Sequence, residues 1–219
     1  MNDDEGRMYL KWIVCEVEAA ERDAFHQAQL GWSRIREAGG FVAQVGGWRE
    51  DRRDACILGF WEDKASCDRF MASLHDEIVN ETRQDLTYVS CRVLHATSVM
   101  LMGGKAATLR EAIAGAGVLR VADCEVRADR IPHFIDVQRD TWEPAMAVSP
   151  GQLGGLFSQS VTSPSRYLVT TFWRDAESHA AYVRDRVPSL REASAVDEDI
   201  VSLEGRVVQL EPAWSVMSN

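Results

Sequence analysis

Gly39-Gly40-Phe41-Val42-Ala43-Gln44 is answered 115 residues later by Gly154-Gly155-Leu156-Phe157-Ser158-Gln159. Behind each hexapeptide comes a strand-like run ending in Phe-Trp, then an Asp, a Ser and an aromatic. Phe60, Trp61, Asp63, Ser66 and Phe70 return as Phe172, Trp173, Asp175, Ser178 and Tyr182, at an offset of 112. Upstream, Cys15-Glu16-Val17, Phe25 and Gln29 return as Cys124-Glu125-Val126, Phe134 and Gln138, at an offset of 109. The order is kept while the offset drifts, as loop insertions and deletions in a duplicated unit produce. The 219 residues therefore read as two copies of a unit of roughly 100 residues.

Each copy repeats the same succession of periods. Met8–Val17 is rich in aromatic and β-branched residues and reads as a strand. Phe25, Ala28, Gln29, Trp32 and Ile35 recur at three and four residues, the stripe of an amphipathic helix. Gly39-Gly40 closes that helix, Phe41–Trp48 is a second strand, Arg49–Asp54 a charged turn and Ala55–Trp61 a third strand. Asp63 caps a helix running to about His75, a further helical stretch reaches towards Thr82, and Tyr88–Met102 is the last strand. The second copy predicts strands at Val118–Val126, Leu156–Val161, Arg166–Trp173 and Ile200–Leu210. Its helices fall at Arg130–Met146 and after the Asp175 cap. The order β-α-β-β-α-β is the ferredoxin-like split unit. Its helices cover one face of the sheet, yet Tyr167–Trp173 and the first strand are apolar on both faces, as in strands buried on both sides. The expected fold is α+β: two tandem ferredoxin-like (βαββαβ) units packed sheet-to-sheet as an intramolecular dimeric α/β barrel. Residues 1–102 form the first repeat, 103–117 a linker entering a short helix, and 118–219 the second repeat.

The composition, 46% hydrophobic and 26% charged, suits a packed globule. A formal net charge of −10, with Lys and Arg scattered, makes nucleic acid a poor partner. No apolar stretch approaches a membrane span and the Met1–Glu5 start is acidic, so no membrane partner and a cytoplasmic location are expected. The five cysteines are odd in number, form no CxxC pair and mostly sit in apolar runs, where a free thiol acts as a small hydrophobe.

Pro150-Gly-Gln-Leu-Gly-Gly-Leu-Phe-Ser-Gln159, followed by Tyr167-Leu-Val-Thr-Thr-Phe-Trp-Arg-Asp175, resembles the antibiotic biosynthesis monooxygenase (ABM) family of the dimeric α/β-barrel superfamily. In the first copy, Leu10-Lys-Trp-Ile13, Gly46-Gly-Trp48, Phe60-Trp-Glu62 and Ser73-Leu-His-Asp76 are similar to the YdbC-like bacterial proteins of that superfamily. The resemblance implies sheet-paired units and a pocket for a small, often aromatic ligand. Its members include cofactor-independent oxygenases, cyclases, haem-degrading enzymes and proteins without catalysis, and fold does not choose among them.

The expected site lies where the copies differ. His75-Asp76 matches the His-Asp of YdbC-like proteins, whereas the second copy carries Val187-Pro188 there. His75 is the candidate general base and Asp76 its orienting partner. Trp12 and Trp48 lack aromatic counterparts, facing Val121 and Ser163 at the running offsets. With Gln44 and Trp61 they form the expected substrate-binding set. Gln44 returns as Gln159, which also fits a hydrogen bond across the sheets. His26 and Gln29 neighbour each other on the first helix, but no third ligand at metal spacing accompanies them, so no metal is expected. No GxSxG, P-loop or HExxH occurs. The functional expectation is a small-molecule tailoring enzyme: cofactor-independent oxygenation, or cyclisation, of an aromatic or polyketide-like metabolite. No cofactor is expected, and a small hydrophobic or aromatic substrate is the expected partner. The chain would be a pseudo-dimer capable of further homodimerisation. Two alternatives stand beside it: a haem-binding or haem-degrading protein, although Asn80 and Glu81 occupy the place of that branch's proximal His, and a non-catalytic ligand-binding protein.

Overall fold

The computed structural model describes residues 7–50 and 53–218; the acidic start Met1–Glu5 and the middle of the Arg49–Asp54 turn lie outside the described residues. The first unit runs β1 (Tyr9–Glu16), α1 (Arg22–Leu30), β2 (Phe41–Arg49), β3 (Asp54–Trp61), α2 (Lys64–Met71), α3 (Leu74–Thr82) and β4 (Ser90–Met102). After α4 (Leu109–Gly115), the second runs β5 (Val118–Val126), α5 (Ile131–Val137), α6 (Glu143–Ala147), β6 (Gln152–Ser160), β7 (Arg166–Trp173), α7 (Ala176–Asp185), α8 (Val187–Ser194) and β8 (Ile200–Leu210). Antiparallel pairing orders the first sheet β4-β1-β3-β2 and the second β8-β5-β7-β6. Both units are therefore ferredoxin-like, with the first strand of each at the centre. Among the described residues no helix is long and apolar enough to cross a membrane.

Local chemistry explains the shared elements. The Asp63 carboxylate accepts from the Ser66 backbone N–H and Asp175 from that of Ser178, each at 2.7 Å, so both N-caps form as the sequence predicts. The helix expected to reach His75 breaks sooner: Ala72 and Ser73 interrupt it, and His75 sits in the first turn of α3. The long helix expected over Arg130–Met146 contains a wide turn of π type at Gln138–Trp142.

The domain boundaries shift. The first compact unit ends at Thr97 within β4, because that strand runs unbroken into residues 98–102. The stretch expected as a linker contains α4, which buries Ala112 and Ile113 in the second unit. From Leu210 the chain returns to the first unit: β9 (Val216–Met217) pairs with β2, extending that sheet. Trp214 packs against Phe25 and Trp48 with ring centroids at 5.6 and 5.3 Å, and its indole N–H donates to His26 Nδ1 at 3.1 Å. The second repeat thus ends before this tail, contrary to the expected 118–219.

The repeat itself must be re-registered at its most conspicuous point. Phe41 pairs with Trp61 and Gln152 with Trp173, so the second strands of the two units correspond at an offset of 111. The match at 115 is a coincidence of composition. Gly40 and Gly151 are the true equivalents: both have φ near +80° (77° and 79°), and both accept a backbone hydrogen bond at 2.8 Å, from Glu62 and Arg174 respectively. A Cβ at either would strike the side chain of Ser66 or Ser178. Gln44 therefore corresponds to Gly155, and Trp48 to Gln159. Gly40→Ala and Gly151→Ala should each cost about 1–3 kcal/mol, from the left-handed backbone and the collision. Gly39→Ala, with open space at its Cβ, should stay within about 0.5 kcal/mol. Urea unfolding of the three variants checks this; a costly Gly39→Ala would restore the other register.

Candidate functional site

On β1, side chains alternate between the two faces of the sheet. Lys11, Ile13 and Cys15 lie on the face covered by α1, α2 and α3, and there they line a cavity of about 350 Å³ with Gln44, His75 and Cys91. The second unit holds the corresponding cavity, about 260 Å³, over β5. Arg120 replaces Lys11, Gln138 replaces Gln29, and Val187 replaces His75.

Strand register places a cation at the floor of each cavity. Lys11 and Gln44 both pair with Gly59, forming one cross-strand row. In the second unit the row is Arg120, Thr171 and Gly155. Gly155 is required there, since a Cβ would run into the Thr170 carbonyl. Lys11 is buried; its ammonium approaches the Met71 sulfur at 3.1 Å, and burial lowers its pKa. Burial likewise lowers the pKa of Arg120. Among the described residues no carboxylate or hydrogen-bond acceptor engages Arg120, although charges inside proteins are normally paired.

Arg191 and Asp197 also line this cavity, paired with each other at 2.5 Å, while His179 and Tyr182 supply polar groups without charge. His179 is buried and its pKa falls to about 4, chiefly through desolvation and secondarily through Arg120. Its ring meets Trp173 edge-on at 5.4 Å. The Tyr182 hydroxyl is buried without a partner, burial pushes it up to about 12, and its ring lies 5.1 Å from Trp173. Trp173 is held in place by donating to Thr171 Oγ1 at 2.9 Å. Cys124, Phe134, Met146 and Val169 supply the apolar wall.

In the first unit, His75 and Gln44 do share one cavity. His75 Nδ1 lies 2.8 Å from Asp76 Oδ1, and its ring is edge-on to Trp32 and Phe70 at 5.6 and 5.7 Å. Asp76 itself is 82% exposed, so the pair sits at the rim. Gln44 Nε2 is buried without a hydrogen bond, so it stands as a cavity group with no counterpart in the second unit. The three expected tryptophans do not line this cavity. Trp12 alternates with Lys11 and Ile13 and faces the opposite side of the sheet, buried. Trp48 packs on Phe25 and Trp214, with the Arg22 guanidinium 6.0 Å from its ring centre. Trp61 is buried between Phe41 and Phe70.

Lys11, Arg120, His179 and Tyr182 escaped the sequence reading. A usable signal existed: Lys11 and Arg120 share the offset of 109 with the flanking cysteines, a cation recurring inside two apolar strands. Among the described residues no group of three or more His, Cys, Asp or Glu is gathered to hold a metal ion. The cavity of the first unit lies near the lower end of the roughly 300–1,000 Å³ common for small-molecule sites, and that of the second just below it.

Comparison with known proteins follows the division into repeats. Residues 9–95 match a domain family of unknown function, DUF4937, and residues 117–187 match the antibiotic biosynthesis monooxygenase family. The "Uncharacterized protein YdbC" of Bacillus subtilis (strain 168) is 37% identical over 89 residues, covering 39% of this chain and 75% of the relative. A candidate monooxygenase from Lactobacillus acidophilus NCFM superposes with a TM-score of 0.72 at 14% identity, over 97% of each chain. An anthrone oxidase-like protein superposes with a TM-score of 0.71 at 11% identity, over 95% of this chain and 92% of the other. Those two likenesses concern the fold.

The depressed pKa of His179 has a thermodynamic consequence. The unfolded chain takes up this proton near pH 6.5 and the folded chain only near pH 4. Stability is thus intact above pH 6.5 and falls as the pH drops towards 4, by roughly 3 kcal/mol for this group. Urea unfolding across that range should show a shallower pH slope for His179→Phe than for the parent; equal slopes would refute a neutral, buried imidazole.

Proposed function

The chain belongs to the family of Bacillus subtilis YdbC and carries an ABM-type second half, and on that footing we propose that it is a small-molecule tailoring enzyme. Its reaction is the cofactor-independent oxygenation of an electron-rich, phenolic aromatic of the anthrone class. The observation that carries this reading is Arg120, a guanidinium without a protein counter-ion on the floor of an apolar cavity. Such a charge favours a ligand that is, or becomes, an oxyanion beside it.

The flat ring lies against Trp173, and its keto oxygen faces Arg120 with the Tyr182 hydroxyl donating to it. Neutral His179 is available to accept a proton from the methylene that lies across the central ring from that carbonyl. The enolate so formed raises the imidazole's hold on that proton, since a nearby anion favours the cation. Arg120 stabilises the same charge, so proton transfer and oxyanion binding support each other. The carbanion form supplies the electrons that reduce dioxygen. One oxygen atom becomes the new carbonyl and the other leaves as water, so the substrate's own methylene is the reductant. The apolar wall keeps bulk water from the anion. The anthrone oxidase-like fold match is consistent with this class of substrate.

An oxygen electrode with a hydroxyanthrone as probe tests the assignment. Arg120→Met should lower kcat/KM by about a hundredfold or more, the scale of removing an oxyanion-stabilising donor, while Arg120→Lys retains part of the activity. Undiminished uptake by Arg120→Met overturns the assignment. Loss of uptake in His75→Ala instead would move the reaction to the first cavity. A Soret band on adding haem, with no anthrone turnover, would favour the haem reading.

A further inference from the structure

The first cavity contains a feature the second lacks. Cys15 on β1 and Cys91 on β4 are directly opposed in antiparallel register. Their Sγ atoms are 3.1 Å apart, both thiols are free, and both line the cavity. Cys15 is buried and Cys91 is exposed, so the pair spans from the cavity interior to solvent. In the second unit Cys124 is opposed by Leu203, and both line that cavity. An apolar residue therefore serves at the position of Cys91, and packing alone does not call for an exposed thiol there.

The two thiols are also chemically unequal. The hydrogen bond from Cys15 lowers the pKa of Cys91, and the Lys11 ammonium adds to this against the opposing effect of burial. The same hydrogen bond and burial raise the pKa of Cys15. The exposed sulfur is the one poised as thiolate, and the buried one keeps its proton. A low-pKa accessible thiol beside a second thiol is the arrangement of a peroxide-reactive pair with a resolving partner.

We infer that Cys15 and Cys91 form a redox-active dithiol that reduces a hydroperoxide entering the first cavity. The Cys91 thiolate attacks the terminal peroxide oxygen and the O–O bond breaks. With uptake of one proton, the alcohol departs and Cys91 is left as the sulfenic acid. The Cys15 sulfur then attacks the Cys91 sulfur, giving the cross-strand disulfide and releasing water. Two electrons have passed from the two thiols to the peroxide, and a small-molecule dithiol returns them. Forming the bond needs the sulfurs to close by about 1 Å, to the ~2.05 Å of a disulfide. Closure would tie β1 to β4 at the cavity mouth. The inference is independent of Arg120, which belongs to the other unit.

Fully reduced protein treated with equimolar cumene hydroperoxide, then denatured and alkylated, tests it. Titratable thiols should fall from five to three, with the two lost hydrogens mapping to a Cys15–Cys91 linked peptide that dithiothreitol reverses. In Cys15→Ser, Cys91 should instead be trapped by dimedone as the sulfenic acid, and in Cys91→Ser no thiol should be lost. Retention of all five thiols in the parent overturns the inference. So does loss spread over Cys56, Cys67 and Cys124, or a Cys91→Ser variant that oxidises as fast as the parent. Arg120→Met should oxidise at the parent's rate, which keeps this outcome separate from that of the oxygenase assay.

Discussion

The register of the central strands, β1 and β5, decides what every other element can do. Because side chains on a strand alternate, a slip of one residue would exchange the cavity face with its opposite. In the observed register Lys11 stands against Gly59 and Gln44, and Arg120 against Thr171 and Gly155. The same register sets Cys15 against Cys91 and turns Trp12 away from the cavity. The glycines in these rows keep the sheet floor low, and the cations lie beneath the helices. The left-handed Gly40 and Gly151, packed against Ser66 and Ser178, hold the entry to the second strand of each unit in place.

Duplication preserved this device while its surroundings diverged. Each unit keeps a cation on the first strand, a glutamine on the first helical segment and a cavity above them. The second unit lines its cavity with Trp173, Tyr182, His179, apolar side chains and the Arg191–Asp197 ion pair, and Arg120 stands among them without an ion-pair partner of its own. The first unit has Gly59 where the second has Thr171, and Met71 beside its lysine. Its larger space opens past His75 and Cys91. The two cavities thus present different groups on one scaffold: an arginine without an ion-pair partner in one, a facing pair of thiols in the other.

The Gly-Gly hexapeptides illustrate how far sequence similarity can mislead within a correct conclusion. They signalled a duplication that exists, yet their residues are not equivalent, and the capping aspartates and Phe-Trp strands carry the true correspondence. Hydrogen-bonding partners settled the matter, because a β-bulge near Phe41 and another near Gly154 alter the count without altering the pattern of residue types. Trp214 shows a different limit. Its sequence position assigned it to the second repeat, but its indole completes the Phe25 and Trp48 cluster of the first.

By itself the sequence determined the two ferredoxin-like units, their strand and helix order, and the capping of the helices after the Phe-Trp strands. These features depend on short-range chemistry: periodicity, turn glycines and side-chain caps act within a few residues. It also brought His75 and Gln44 forward, and these do meet in one cavity. Only the tertiary structure decided that Trp12, Trp48 and Trp61 lie outside the lining of the first cavity, that Lys11 and Arg120 stand at the cavity floors, and that Cys15 faces Cys91. Those facts depend on which residues oppose one another across strands distant in sequence. Burial then gives such residues their chemistry: it leaves an arginine without a counter-ion and keeps a histidine neutral, which no local pattern encodes.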